Sequence, residues 1–428
     1  MSLTRRIEPF TALSFDRARV GALDRVVAPP YDLIDSARQD ELYACSPYNV
    51  IRLELNREAD PYTTAAATLA RWRADGIVTR ASQPAIYLYT QRFVHAGRAL
   101  ERRGLIARVR LEEFSSGRIL PHERTFPKAK ADRLRLLEAT HTNISSIFGL
   151  YPPADAALVR LLSEVARRDV IIAVVDDQGI AHEIRAITAE GEIAIAQGAL
   201  EGTQVLIADG HHRYETALEY RRRHTKAGAA GPARPLDYVM MTLVAFDDPG
   251  LVILPTHRVV RRLPADASIR LAARSRETFV VEEFAQPDAF LASLSARGRG
   301  VLGVALEGDA RFKLLTPRDP VILAEAMPAA APAVRELEVS ILHALVFDRI
   351  FGIKAEDVRA GGNLAYTIDA RGALAEVASG TADGAFLLNP PTVDDVARVT
   401  TAGATMPEKS TYFFPKLLTG LLMNPLDE

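Results

Sequence analysis

The sequence predicts a mixed α/β protein with a further α+β region beyond residue 263, and three observations carry this. The apolar run 205–208 leads through Asp209 and Gly210 directly into helical spacing over 211–224, a strand, a tight turn and a helix in succession. Strand-like and helical stretches follow one another through the first 260 residues. Beyond Leu263, the strand patterns FVVEEF, GVLGVAL and FKLLT precede apolar residues at helical spacing, Leu337, Ile341 and Leu345. With 428 residues, 48% of them apolar, the chain can bury more than one core, and the expected division is 1–263 and 264–428.

Taken in order, residues 23–34 (LDRVVAPPYDLI) read as a short strand, a paired-proline turn, and Tyr31-Asp32 entering a helical segment. Residues 48–55 (YNVIRLEL) resume strand character. Residues 65–75 form a helix with Leu69 and Trp72 on one face and Gly76 as its stop. AIYLYTQRF and LIARVRL are strands. Residues 117–151 begin as a proline-containing loop and end helical. DVIIAVVDDQGIAHEIRAI is a hairpin, and DYVMMTLVAF and LVILPTHRVV are a further strand pair. PAAAPAV at 328–334 is a linker or a surface loop, and the chain ends in GAFLLNPP, a helix from Val393, and MPEKSTYFFPKLLTGLLM.

Charge nearly cancels, 52 basic against 54 acidic residues, which is no footprint for general binding to nucleic acid or an acidic membrane. The single Cys45 cannot form an internal disulfide, so a reducing cytoplasm is expected. Arg5 and Arg6 lead into Ile7, Glu8 and Pro9 rather than an apolar leader, and no run of 18 apolar residues offers a membrane span.

The sharpest chemical signal is ADGHHRYETALEY at 208–220. Glycine permits a tight path at Gly210, and the amides that follow open a helix whose positive end suits an anion. His211, His212 and Arg213 stand on that first turn, and Asp209 is placed as a general base or metal ligand. The bland alternative is that Asp209 caps the helix and the histidines are surface groups. A second cluster, Pro121-His122-Glu123-Arg124-Thr125 with Lys128 and Lys130, furnishes a loop with groups that suit phosphate, or is simply a charged loop.

GATMPEKS at 403–410 nearly matches a phosphate-binding P-loop. Glu408 stands where the last glycine is needed, Pro407 removes an amide donor, and helix-like residues precede it where a strand is required. That motif is therefore rejected. Lys409, Ser410 and Thr411 still form a compact donor set with Lys416 close behind, and these two are among only seven lysines. Pro255-Thr256-His257-Arg258 leaves a strand end, where α/β proteins often place a crevice. Zinc lacks the spaced histidine pairs it needs, since adjacent helical residues such as His211 and His212 diverge by about 100 degrees.

Together APPYDLI (28–34), RRGLIARVRLEEF (102–114), LPHERTFPK (120–128), ADGHHRYETALEY (208–220), LPTHR (254–258) and MPEKSTYFFPKLLTGL (406–421) resemble the domain-of-unknown-function family one thousand and fifteen over nearly the whole chain. The turn at 209–213 also resembles the phosphate-binding strand-turn-helix of the ParB and sulfiredoxin superfamily, whose members include free-serine kinases with a similar D-G-H-x-R turn. That resemblance implies a ParB/sulfiredoxin-like first region with insertions, and a phosphotransferase acting on a small hydroxy metabolite, free L-serine first, with pyrophosphate or a nucleotide as donor. It implies Asp209 as the acid/base or magnesium-facing carboxylate, with Gly210, His211, His212 and Arg213 around the transferred phosphate and His211 next to the chemistry.

His122, Arg124, Lys409, Ser410, Thr411 and Lys416 are expected to add phosphate contacts, the C-terminal segment returning to the Asp209 turn. Asp32, beside Tyr31, is expected to grip the substrate's ammonium, with His257 and Arg258 as further substrate contacts. The competing readings are a ParB-like nucleotide-binding regulatory protein and a phosphate-ester hydrolase.

Overall fold

The computed structural model describes residues 5–123, 125, 127–225, 232–354, 357 and 363–427, and its fold is mixed α/β. The chain forms two compact units: Met1–Pro121, Thr125–Val252 and Pro415–Glu428 make the first, and His122–Arg124 with Ile253–Phe414 the second. The division thus falls at 252/253 rather than the expected 263, and the last fourteen residues belong to the first unit. The reason lies in strand pairing. Val252–Leu254 pairs with Tyr412–Phe414, whereas Asn424–Pro425 pairs with Thr142–Asn143.

Among the described residues the first unit builds a nine-stranded mixed sheet. Its order is Ile119–Pro121, Val205–Asp209, Ile147–Tyr151, Tyr238–Ala245, Arg98–Arg110, Ile86–His95, Ala181–Ile187 and Ile172–Val175, with Ile7–Glu8 alongside Arg98–Arg110. Val205–Asp209 runs parallel to Ile119–Pro121 and antiparallel to Ile147–Tyr151. Val205 to Ala208 are all buried, as a strand covered on both faces requires, which is why this run is continuously apolar rather than alternating. Gly149 on the neighbouring strand leaves room for this packing, because a Cβ there would lie 2.8 Å from Leu243 Cδ2 and 3.0 Å from Val205 Cγ1.

The helix His211–His224 follows and buries Tyr214, Ala217 and Leu218 in the same core as Val205, Ile207 and Leu243. A second core gathers the helices Ser36–Cys45, Ile51–Glu54 and Pro61–Ala74 around Trp72. Residues 48–55, expected as a strand, instead contain the helical turn Ile51–Glu54. Asn49 is responsible. Its side-chain oxygen accepts from the Ile51 amide at 2.9 Å while its Nδ2 donates to Arg25 O and Val27 O, a local competition that strand pairing loses.

Among the described residues the second unit carries a six-stranded antiparallel sheet ordered Phe279–Phe284, Phe312–Pro317, Leu302–Leu306, Gly384–Leu388, His257–Val260 and Leu364–Thr367. Pro255 divides the expected strand LVILPTHRVV into Val252–Leu254 and His257–Val260. The PAAAPAV stretch contributes to a short helix, Pro332–Arg335, within this unit.

Candidate functional site

The strand Val205–Asp209 slips register against Ile147–Tyr151 between Ile207 and Asp209, just before the turn. Gly210 then takes a left-handed conformation, φ 94°, open to glycine without strain. A Cβ there would also lie 3.0 Å from the Arg213 guanidinium, so the glycine lets that group fold back over the turn. Gly210 is the N-cap of the 14-residue helix His211–His224. The N-cap position itself is taken by Gly210, with Asp209 one residue before it.

Asp209 Oδ2 instead faces two cations, Lys416 Nζ at 3.6 Å and Arg213 Nη2 at 3.7 Å. Both distances are ion-pair contacts longer than a hydrogen bond. Arg213 is steered by Nη1, which donates to Ser146 O at 2.5 Å, while its buried Nε has no hydrogen-bond partner within the protein.

Lys416 is held from behind. Gln91 Nε2 donates to Lys416 O at 3.0 Å, and Arg102 donates to Pro415 O and to Gln91 Oε1. Arg102 is fully buried against the Phe148 ring at 4.7 Å, and burial pushes its pKa down to about 10.

Beside Arg213 opens a pocket of about 410 Å³ that is also lined by Glu54, Arg133, Asn143, Ser145 and Thr216. Arg133 and Glu54 form a buried pair at 3.2 Å, and Ser145 Oγ donates to the same Glu54 oxygen at 3.3 Å. Arg133 stacks over the Tyr31 ring at 4.4 Å. Burial raises the Tyr31 phenol to about 12, with the Arg213 charge acting against that rise. Tyr31 thus joins this site, and Asp32 is exposed on the same 3₁₀ turn, Tyr31–Leu33. Glu215, an alternative proton acceptor, is occupied by Thr125 Oγ1 at 2.8 Å and Lys130 Nζ at 2.7 Å. His211 is buried and His212 half-buried, so His211 is not the surface group the bland alternative required.

The remaining expected residues belong to the second unit. His122 Nε2 is 2.9 Å from Thr411 Oγ1, and the Lys409 amide donates to Glu123 Oε1 at 2.6 Å. Ser410 Oγ donates to Pro407 O at 2.5 Å. Arg258 donates to Thr256 O, Glu408 O and Lys409 O, and so fastens the 408–409 backbone. His257 Nδ1 accepts from the Leu388 amide at 3.2 Å, and burial, aided by the Arg258 charge, lowers its pKa to about 4. The expected C-terminal segment accordingly divides, Lys416 in the first unit with Asp209 and Lys409 to Thr411 in the second. Arg124 lies outside the described residues.

Sequence reasoning missed Arg102, Gln91, Glu54 and Arg133. A signal existed for Arg133, which shares the helical face of Leu136, Leu137 and Thr140 in Pro127–Thr140, an apolar face on which a charge needs a partner. Among the described residues no group of three or more His, Cys, Asp or Glu is placed to hold a metal, and no helix is long and apolar enough to cross a membrane.

A model of the family described as "Protein of unknown function (DUF1015)" matches residues 7–340. Among solved structures, a free serine kinase in complex with AMP is similar at 12% identity and TM-score 0.36, covering 72% of this chain and 86% of that one. A conserved hypothetical protein from Pyrococcus furiosus is similar at 13% identity and TM-score 0.35, covering 73% and 92%. SbnI with a C-terminal truncation, from Staphylococcus aureus, is similar at 11% identity and TM-score 0.36, covering 75% and 87%. No curated protein matches the chain.

Proposed function

The chain belongs to the DUF1015 family, and from that premise we propose that its first unit is a phosphotransferase centre acting on a small hydroxy metabolite, free L-serine first, with pyrophosphate or a nucleotide as donor. The observation that carries this reading is the placement of Asp209 facing Lys416 and Arg213 where the strand turns through Gly210 into the helix His211–His224. Phosphoryl transfer asks chiefly for positioning and for positive charge around the equatorial oxygens of the transferred group. Lys416, Arg213 and the helix start supply that charge, and Asp209 supplies a carboxylate within the same space.

In this reading the acceptor hydroxyl gives its proton to Asp209 as its oxygen bonds to phosphorus, and the donor's bridging P–O bond breaks with its electrons leaving on the departing phosphate. His211, His212 and Gly210 line the transferred group, and Tyr31 and Asp32 stand on the acceptor side. Magnesium would be held mainly by donor phosphates, with Asp209 as its one carboxylate, an arrangement that needs no larger protein cluster. Its chemistry there would be to neutralise donor charge.

The test is phosphorus NMR of the full chain with magnesium and L-serine, offered pyrophosphate, ADP and ATP in turn, each with a control lacking serine. Phosphoserine formed with one donor supports the transferase and names that donor. Orthophosphate released equally without serine would replace the proposal with a hydrolase.

A further inference from the structure

The second unit contains a cleft of its own, of about 410 Å³, lined by Leu337, Leu388 and Met406 and by Thr256, Arg258 and Glu338. Its polar lining is incompletely satisfied. Thr256 and Arg258 are 6% and 1% exposed, yet Thr256 Oγ1 and Arg258 Nε have no hydrogen-bond partner within the protein. Leaving buried donors unmatched is costly, and native proteins keep few of them outside sites of use.

Charge points the same way. The remaining donors of Arg258 go to three backbone carbonyls, and among the described residues it has no ion pair. Burial pushes its pKa down to about 10, against the opposing effect of Tyr366, Glu408 and Glu123. Both Glu338 oxygens already accept from backbone amides, Gly300 at 3.0 Å and Asn389 at 2.5 Å, and burial raises its pKa to about 8. At the rim, Arg299 is paired with Asp395 at 2.8 Å.

We propose that this cleft binds a small organic carboxylate, whose oxygens accept from Arg258 Nε and Thr256 Oγ1 and whose short apolar body lies against Leu337, Leu388 and Met406. The donors select an anion, and the apolar lining selects one with a hydrocarbon portion over inorganic phosphate. This site is independent of the phosphotransferase reading.

The experiment is calorimetric titration of the full chain with butyrate, repeated in the presence of inorganic phosphate, on the native protein, Thr256→Val and Thr256→Ser. Butyrate is expected to bind one to one. Thr256→Val, which keeps the shape and removes the hydroxyl, should weaken binding at least tenfold without lowering the melting temperature, because that hydroxyl has no protein partner to lose. Thr256→Ser should keep binding within a few-fold. If Thr256→Val lowers the melting temperature, Thr256→Ala replaces it with the same expected loss. No saturable butyrate binding, equal binding by the hydroxyl-free variant, or displacement of butyrate by phosphate at equal concentration would each overturn the proposal.

Discussion

At the scale of single residues, the site turns on one carboxylate that stays short of hydrogen-bond contact with Lys416 and Arg213. Asp209→Asn keeps the shape and both cations and removes the proton acceptor. Turnover should fall by about 10²- to 10⁴-fold, the usual worth of a positioned general base, while phosphate binding is retained or tightened. Steady-state kinetics beside a phosphate titration separate the two. Lys416→Met removes charge and keeps the aliphatic stem, so turnover should fall about 10²-fold or more and phosphate affinity should fall with it. Unchanged phosphate affinity in that variant would remove Lys416 from the site. The sequence marked Asp209 and Lys416, but not Arg102, whose role is to hold the Pro415 carbonyl. A buried arginine within a strand carries no local signature for the Pro415 carbonyl, which lies 313 positions away in sequence.

At the scale of elements, the strand, the glycine turn and the helix act together. Gly210→Ala places a Cβ on a backbone at φ 94° and 3.0 Å from the Arg213 guanidinium. It should cost about 1–2 kcal/mol of stability in urea unfolding and lower phosphate affinity by displacing Arg213.

In the second unit, the strand His257–Val260 makes stability depend on pH. His257 titrates near its ordinary value when unfolded and at about 4 when folded, so its contribution is complete above 6.5 and is lost as pH falls toward 4, by about 3 kcal/mol in all. Glu338 has the opposite sign. Its folded value is raised to about 8, so its contribution is complete below 4.5 and is lost as pH rises through 8. Unfolding by urea between pH 4 and 7 should show a flatter acid limb for His257→Gln than for the native chain, and parallel limbs would remove His257 as the cause. The strand-turn-helix at 205–224 was legible because its pattern is local. Residues 48–55 were misread because Asn49 redirects an apolar run whose composition suits a strand.

At the scale of the whole molecule, the last fourteen residues complete the first unit. Asn424 Nδ2 donates to Asn143 Oδ1, and Arg108 holds Asn424 Oδ1 at 2.7 Å and Pro425 O at 2.9 Å. Deleting residues 422–428 leaves Arg108 and Asn143 buried without these partners, and should lower the melting temperature by several degrees, as scanning calorimetry would show. Helical and strand periodicity gave the order of elements, but not that the chain would leave the first unit at 252 and re-enter it at 415. Pairing between distant strands decides that, and one strand's pattern does not encode its partner.

Phosphorus NMR of the native chain beside Asp209→Asn, under identical donor, magnesium and L-serine, reads whether Asp209 accepts the proton as a phosphoryl group passes to free serine. A phosphoserine signal should grow with one donor in the native protein and be lost in the variant while phosphate still binds. Phosphoserine forming at the native rate in Asp209→Asn, or with no donor in either protein, would contradict it.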